Sequence, residues 1–398
     1  DKALKQANIA LKDQPWLYEA AKLSGDIHLE RALQARDSGK DDEAKQEFAA
    51  AVKSYEDAAR VGQSDAEVYE GLAEAWVRQI EMAAMRSQPT ESAYAAAIVA
   101  SDKIGVAEPA SVAGRMKKAF AALMTMGLLG AGTSSGERVK QCFAETAAVL
   151  AKEPENPYAS DVAAGCNAFA ADGAVGRGEN PEPLLRKALA LLEPAVRRYP
   201  NFLWGLNDIG NVYTQLGAYL QLHGADGAKE VFAKSLKYEE MAVALDGTYL
   251  IGIINSLSTW SKTIPLINSM TELNNILNNT DKLFDKCINV NNQFQQCHIN
   301  YIMSRSFFAE RAMLYGADPQ RQLQQSLGTI AAARKLGGTF LDLEQFTALT
   351  HYIDAQRSLQ RRQNPGASLT EMRAALDRCF ALASADALCR TKAAQADW

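Results

Sequence analysis

The sequence predicts an all-α fold of the solenoid class, a right-handed stack of helical hairpins, and three observations indicate it. A turn signature, Asp or Asn followed by Pro or Gly, recurs at a fixed interval of 46 residues. Between the turns, apolar residues recur at i, i+3, i+4 and i+7, which is the pattern of an amphipathic helix. Almost no stretch alternates with the period of two that a half-buried strand requires, so we expect no sheet.

The turn signature itself predicts where helices begin. An Asp or Asn side chain caps the first turn of a helix, and proline is tolerated at the first helical position. Each copy carries Leu or Val four residues after the Pro or Gly, and the four copies, at steps of 46, 92 and 46 residues, begin at Asn180, Asp226, Asp318 and Asn364. The copy missing from the series would fall at Glu272, within a stretch rich in asparagine. There we expect Pro265 to end its helix early.

A second set of breakers runs at the same period, half a unit out of phase. The units therefore begin near positions 16, 62, 108, 154, 200, 246, 292 and 338. Each unit has a helix A, a short turn, a helix B and a second short turn. About eight full units and roughly seventeen helices are expected, because a period of this length is typical of stacked supersecondary units. Helix B over 184–198 contains Pro194, where we expect a kink.

The ends of the chain differ from the regular pattern. Residues 1–15 are predicted to be an unpaired helix B of a preceding half-repeat, 16–383 a continuous solenoid, and 384–398 a C-terminal capping helix. The chain begins at Asp1 without Met, so we expect a part or a processed product of a larger protein. An uncovered half-repeat also makes self-association through the end repeats a possible use of this surface.

Small and large residues at particular positions indicate a family. Over 184–220 the sequence carries Gly210, Tyr213 and Gly217, preceded by Ala188, Leu192, Ala195 and Pro200. This segment, and 234–255, resemble the tetratricopeptide repeat (TPR), whose usual period is about 34 residues. The longer period here implies longer helices. HEAT and armadillo units also approach this length and are the alternative.

A looser resemblance concerns the turns and the segment QPWLYEA at 14–20. These are similar to the helical-repeat regions of large bacterial serine/threonine protein kinases. None of the motifs of a kinase domain is present in this sequence. The resemblance therefore implies a sensor or scaffold part, with a kinase domain or membrane anchor possible upstream.

The six cysteines form three pairs, each centred on a predicted turn from helix B to the next helix A. Cys142 and Cys166 lie 12 residues either side of Pro154, whereas the pairs Cys287 and Cys297, and Cys379 and Cys389, lie five residues either side of their turn centres. Residues equidistant from the turn of an antiparallel hairpin face each other, and the difference of seven residues is two helical turns. We therefore predict three disulfides on one seam, which implies an oxidising compartment. The alternative is that cysteine fills close-packed small positions.

The resemblance to TPR proteins implies a concave face lined by the A helices, with aromatic and amide groups suited to a peptide. An alternative for the aromatic residues is that they pack between repeats. The candidate partner-binding residues are Tyr69, Trp76, Arg115, Tyr158, Trp204, Asn207, Asn211, Thr214, Gln215, Trp260 and Tyr352.

Charge and motif content argue against other classes of function. The net charge of −5 does not favour nucleic acid as a partner, and no apolar run is long enough to span a bilayer. None of the four histidines lies in a metal-binding or catalytic motif, and the cysteines lack zinc spacing. We expect no cofactor, no metal and no catalytic activity in this chain.

These observations predict a non-catalytic scaffold or sensor module that binds protein or peptide. The alternatives are an assembly protein that stacks through its end repeats and a transporter-associated TPR protein that binds a small molecule. The predicted location is extracytoplasmic (periplasmic, cell-surface or secreted) if the cysteines are paired, and cytoplasmic otherwise.

Overall fold

A computed structural model describes residues 2–86, 88–129, 133–337, 340–382 and 389–390. These residues form α-helices, named α1 to α17 in chain order, with a 3-10 turn at Ile264–Leu266, and they include no strand. The all-α solenoid predicted from the sequence is therefore confirmed. The capping helix expected over 384–398 lies outside the described residues, apart from Cys389 and Arg390.

Eight of the helices correspond to the predicted A helices. Successive A helices begin between 44 residues (113 to 157) and 48 residues (18 to 66) apart. They are α2 (Tyr18–Asp37), α4 (Ala66–Met85), α6 (Ala113–Leu129), α8 (Pro157–Gly176), α10 (Leu203–Leu222), α12 (Leu250–Thr263), α14 (Gln295–Leu314) and α16 (Leu341–Gln360).

The remaining helices alternate with these and correspond to the B helices. They are α1 (Lys2–Asp13), α3 (Asp41–Val61), α5 (Glu91–Ala107), α7 (Thr133–Lys152), α9 (Glu182–Arg198), α11 (Ala228–Leu245), α13 (Met270–Val290), α15 (Gln320–Lys335) and α17 (Gly366–Leu382). Pro194 lies inside α9, and α12 ends at Thr263, shortly before Pro265.

The turn signature acts in the way its chemistry predicts. Asn180 Oδ1 accepts a hydrogen bond from the backbone N–H of Glu182 at 2.9 Å, and Asn364 Oδ1 accepts one from Gly366 at 2.9 Å. These bonds satisfy backbone donors that the first turn of a helix leaves without a partner. In the copy with glycine, Gly227 has φ of 89°, a left-handed conformation that favours glycine.

The chain divides into two compact units, residues 1–215 (unit 1) and 216–398 (unit 2). Within unit 1, α2 contacts α4, α4 contacts α6, and α6 contacts α8. Within unit 2, α12 contacts α14, and α14 contacts α16. In each unit these A helices therefore pack in a row. The helices α3, α5, α7 and α9 of unit 1, and α13, α15 and α17 of unit 2, each pack against the A helix that precedes them.

Small residues allow the helices of unit 1 to pack closely around large ones. Tyr55 of α3 is fully buried, and its hydroxyl donates a hydrogen bond to Asp26 Oδ1 at 2.6 Å. A Cβ atom added at Gly25 would lie 2.8 Å from the Tyr55 ring, and one added at Gly71 would lie 2.4 Å from it. The ring thus occupies space that only glycine leaves free on both flanking A helices.

The three predicted cysteine pairs are each within disulfide distance. The Cα atoms are 6.1 Å apart for Cys142 and Cys166, 6.0 Å for Cys287 and Cys297, and 6.4 Å for Cys379 and Cys389. The first pair links α7 to α8, and the second links α13 to α14. All six side chains are buried.

None of the helices in the described part of the chain combines the length and the apolar character that a bilayer crossing requires.

Candidate binding face of unit 1

A chain of alternating charges crosses the A helices of unit 1. Arg36 of α2 donates a hydrogen bond to Glu81 of α4 at 2.7 Å, and Arg78 donates to Glu81 at 3.0 Å and to Glu74 at 2.7 Å. Lys117 of α6 then donates to Glu74. The network ties three A helices together through half-buried side chains.

The network fixes the ionisation of its members. Burial alone would raise the pKa of Glu74, but Lys117 and Arg78 outweigh it and lower that pKa to about 2. Burial would lower the pKa of Arg78, whereas Glu81 and Glu74 raise it overall. Both side chains are therefore charged at neutral pH, and the positive charge of Arg78 is balanced by two carboxylates.

Arg78 also contacts aromatic rings on two other A helices. Its guanidinium carbon lies 5.4 Å from the centroid of the Phe120 ring of α6 and 5.4 Å from that of Trp204 of α10. Contacts of this length between a guanidinium and a ring are cation–π interactions. The helices α4 and α10 are three repeats apart, so the contact between Arg78 and Trp204 shows that the A helices of unit 1 converge. We use the name A-helix face for the side chains of α4, α6, α8 and α10 that face one another.

Aromatic side chains form one edge of this face. Tyr158 of α8 makes edge-to-face contacts with Phe202, at 5.0 Å between ring centroids, and with Trp204, at 5.9 Å. Tyr158 is 52% exposed and Trp204 38% exposed, so both present apolar area to solvent. An open pocket beside them is lined by Pro157, Tyr199, Pro200 and Phe202, together with both rings.

Two carboxyl groups meet farther along the same two helices. Asp161 of α8 and Asp208 of α10 share a hydrogen bond, and Asn207 donates a second one to Asp208 Oδ1 at 2.8 Å. Burial and the neighbouring Asp208 raise the pKa of Asp161 well above its ordinary value. Burial also raises the pKa of Asp208, to about 6, although its hydrogen bonds with Asn207 and Asp161 oppose the change. Asp161 is therefore the partner that retains the proton.

Three of the predicted binding residues, Tyr158, Trp204 and Asn207, come together at this face. Asn207 is buried, and its side chain contacts Asp208 of this face. Three others are directed elsewhere in unit 1. The Tyr69 hydroxyl donates to the carbonyl of Gln63 at 3.3 Å, Arg115 pairs with Glu145 of α7 at 2.9 Å, and Trp76 packs against buried core clusters.

The remaining predicted residues lie on α10 in unit 1 and on α12 and α16 in unit 2. Thr214 is buried, Asn211 is half-buried, and Gln215 is half-buried with its Oε1 atom lacking a hydrogen-bond partner. In unit 2, Trp260 packs against Ile264 and Phe308, and Tyr352 packs against Ala348 and Ile353. For Trp76, Trp260 and Tyr352 these contacts favour the alternative of packing between repeats.

The sequence reasoning missed Arg78, Glu74, Phe120, Asp161 and Asp208. One signal was available: Glu74, Arg78 and Glu81 follow one another at i, i+4 and i+7 on a single helix face. Another was the spacing of Asp161 and Asp208, which are 47 residues apart, within one residue of the repeat period. Among the residues that the structure describes, no group of three or more His, Cys, Asp or Glu side chains could hold a metal ion.

Comparisons with known proteins bear on the fold. No protein-family model matches the chain, and no curated protein matches it either. Among solved structures, a monomeric mutant of IFIT1 with Gppp-AAAA is 15% identical, with a TM-score of 0.59 over 99% of this chain and 75% of that chain. A tetratricopeptide repeat protein from Parabacteroides merdae is 8% identical, with a TM-score of 0.45 over 82% of this chain and 99% of that one.

Yeast Tom70 is 13% identical, with a TM-score of 0.41 over 85% of this chain and 65% of that chain. IFIT1 is a helical repeat protein of the TPR type, and its likeness to this chain at low identity shows the fold alone. The chain is a TPR-type helical solenoid, as the sequence predicted.

Proposed function

We propose that this chain is a non-catalytic scaffold that binds a segment of a partner protein on the A-helix face of unit 1. The observation that carries the proposal is the convergence of Arg78 with Phe120 and Trp204, beside the exposed ring of Tyr158. Rings that are rigid and partly exposed supply contact area at a low cost in conformational entropy. They are the side chains expected at the centre of a protein interface.

The charges of the face favour a polypeptide over a nucleic acid. The similar IFIT1 structure was determined with Gppp-AAAA, so RNA is the other class of partner to compare with a polypeptide. In this chain, the cations of the face are paired with Glu74 and Glu81, and Asp161 and Asp208 add further acid. A phosphate backbone binds through cations that are available to it, so this composition does not favour RNA.

The cysteine pairs support a location outside the cytoplasm. Each pair is within disulfide distance, and disulfides persist in oxidising compartments such as the periplasm or the cell exterior.

Assembly through end repeats and carriage of a small molecule stay as alternatives. A carrier would need an enclosed cavity, and the pocket beside Tyr158 and Trp204 is open.

The test is selection of peptides from a random display library on the oxidised protein, followed by affinity measurement on variants. We expect Trp204→Ala to lower the affinity of the protein for the selected peptides by about tenfold or more, because aromatic anchors commonly contribute about 2 kcal/mol to the binding free energy. Trp16→Ala is the matched control, since Trp16 is 66% exposed on a different part of unit 1. The Trp16→Ala variant should bind the selected peptides with the same affinity as the unaltered chain.

Two results would contradict the proposal. One is a library that yields no peptide, and the other is a set of peptides whose affinity is unchanged by Trp204→Ala. Hydrolysis or phosphotransfer by the purified chain, lost in Trp204→Ala, would make the face catalytic instead.

A further inference from the structure

The helices α8 and α10 carry the same two features in the same order. An aromatic residue near the start of each helix is followed about one turn later by an aspartate: Tyr158 and Asp161 on α8, Trp204 and Asp208 on α10. Residues three or four apart lie on one side of a helix. The two rings contact each other at 5.9 Å, and the two carboxyl groups share a hydrogen bond. The pair of rings and the pair of acids are therefore about one helical turn apart along α8 and α10.

One oxygen atom of the acid pair, Asp161 Oδ1, lacks a hydrogen-bond donor. Asp161 is 6% exposed, and its Oδ1 atom is buried without a hydrogen-bond partner. Leaving a buried acceptor without a partner costs about 1–3 kcal/mol. On the Asp208 side, Oδ1 accepts from Asn207. What the pair lacks, then, is a donor to Asp161 Oδ1, and a donor that is also a cation would favour the ionised form of both acids.

The cations already on this face do not supply it. Arg78 is paired with Glu74 and Glu81, Arg36 with Glu81, and Lys117 with Glu74. Arg78 does lie over the Trp204 ring, but its two carboxylate partners neutralise its charge. The field near Asp161 and Asp208 is therefore set by the acids.

We propose that Asp161 and Asp208, together with the rings of Tyr158 and Trp204, form a subsite for one arginine side chain of the bound segment. The proposal deepens the function proposed above and rests on it. A guanidinium has five donors in a planar fork, so it can reach both carboxyl groups at once while its plane packs on an aromatic ring. When the guanidinium binds, the proton that the two acids share is released to solvent. The guanidinium then replaces that proton as the positive charge between the two carboxylates. A lysine ammonium is a point charge and suits this flat arrangement less well.

The test uses a small probe, Nα-acetyl-arginine amide, and follows the tryptophan indole N–H signals by NMR. The spectrum of Trp204→Phe identifies the Trp204 signal. We expect the arginine probe to shift this signal saturably. The neutral isostere Nα-acetyl-citrulline amide should bind at least about tenfold more weakly than the arginine probe, because it lacks the positive charge that a buried acid pair favours. Nα-acetyl-lysine amide should fall between the two.

The double variant Asp161→Asn with Asp208→Asn keeps the shape of the acid pair and removes its charge. It should lose the preference for arginine over citrulline. Asp57→Asn, the same change at an aspartate of α3 whose side chain is 41% exposed and pairs with Arg60, is the matched control and should keep the preference. The comparison of arginine with citrulline on the unaltered chain needs no variant, so the inference can be tested even if the double variant does not fold.

Three outcomes would overturn the subsite: no binding of the arginine probe, equal binding of arginine and citrulline, or unchanged preference in the double variant. The peptide selection separates this failure from failure of the scaffold proposal. Selected peptides whose binding depends on Trp204 but which contain no basic residue would support the scaffold proposal and contradict the arginine subsite. An ordered water would then be the partner of Asp161 Oδ1.

Discussion

At the scale of single residues, Asp161 is a carboxyl group buried beside a second carboxyl group. Burial and the nearby Asp208 raise its pKa well above the ordinary value of 3.8, and Asp208 itself has a pKa raised to about 6. The folded chain therefore holds protons that the unfolded chain releases above about pH 4. The free energy of unfolding consequently falls as pH rises from the unfolded pKa through the folded pKa values.

Asp161→Asn tests this linkage, because asparagine copies the neutral acid and does not ionise. We expect the variant to match the unaltered chain near pH 4 and to be more stable near pH 7, by on the order of 1 kcal/mol or more. Urea unfolding at the two pH values measures the difference. Asp57→Asn, at a partly exposed position away from the acid pair, should show no such gain in stability near pH 7. Equal pH dependence for the unaltered chain and Asp161→Asn would contradict the assignment of the proton to this pair.

At the scale of helices, one register recurs at four of the seams between a B helix and the next A helix. Cys142 and Cys166 are 24 residues apart on α7 and α8. Hydroxyl pairs with the same separation join the helices of three later seams: Ser235 and Thr259 at 3.5 Å, Thr280 and Ser304 at 3.0 Å, and Ser326 and Thr350 at 2.9 Å. Small side chains at these facing positions allow close approach of the two helices. The cysteine pair therefore occupies a position that other repeats fill with hydrogen bonds.

The cysteine pairs predict a measurable response to reductant. We expect the intact mass after alkylation under non-reducing conditions to correspond to three disulfides, joining 142 to 166, 287 to 297 and 379 to 389. The double variant Cys142→Ser with Cys166→Ser should stay folded, because hydroxyl pairs occupy the equivalent positions elsewhere. It should lose about 3 kcal/mol of stability through release of the constraint on the unfolded chain.

The matched comparison is Cys287→Ser with Cys297→Ser, where only 10 residues separate the cysteines and the chain-entropy effect is slightly smaller. Six free thiols in protein made under oxidising conditions would remove the argument for an extracytoplasmic location.

At the scale of the whole molecule, the charge balance bears on the proposal that the partner is a polypeptide and not RNA. The net charge is −5, with 42 basic and 47 acidic residues. We expect a fluorescent RNA carrying a 5′-triphosphate or a cap to show no saturable binding at physiological salt, because the counterion release that drives such binding needs available cations. Fluorescence polarisation measures this. Saturable binding that weakens steeply with salt and is lost in Arg78→Ala would reverse the choice of polypeptide over RNA.

Much of the fold followed from local chemistry. The capping groups of Asn180 and Asn364 and the positive φ of Gly227 act within a few residues, so the turns and helix starts could be predicted from sequence. The cysteine register was also predictable, because helical geometry sets which positions of a hairpin face each other. The exposed rings Tyr158 and Trp204 were identified because the family resemblance assigns their helices to one face.

The sequence by itself determined the solenoid class, the period and the pairing of cysteines, since each depends on spacing along the chain. Tertiary structure alone decided which A-helix residues share a site. The contact of Arg78 with Trp204 joins residues 126 positions apart (204 minus 78), and no local pattern specifies it. The same holds for the meeting of Asp161 with Asp208, because small rotations between successive repeats determine how A helices converge. Those rotations depend on how neighbouring repeats pack, and they add up over several repeats.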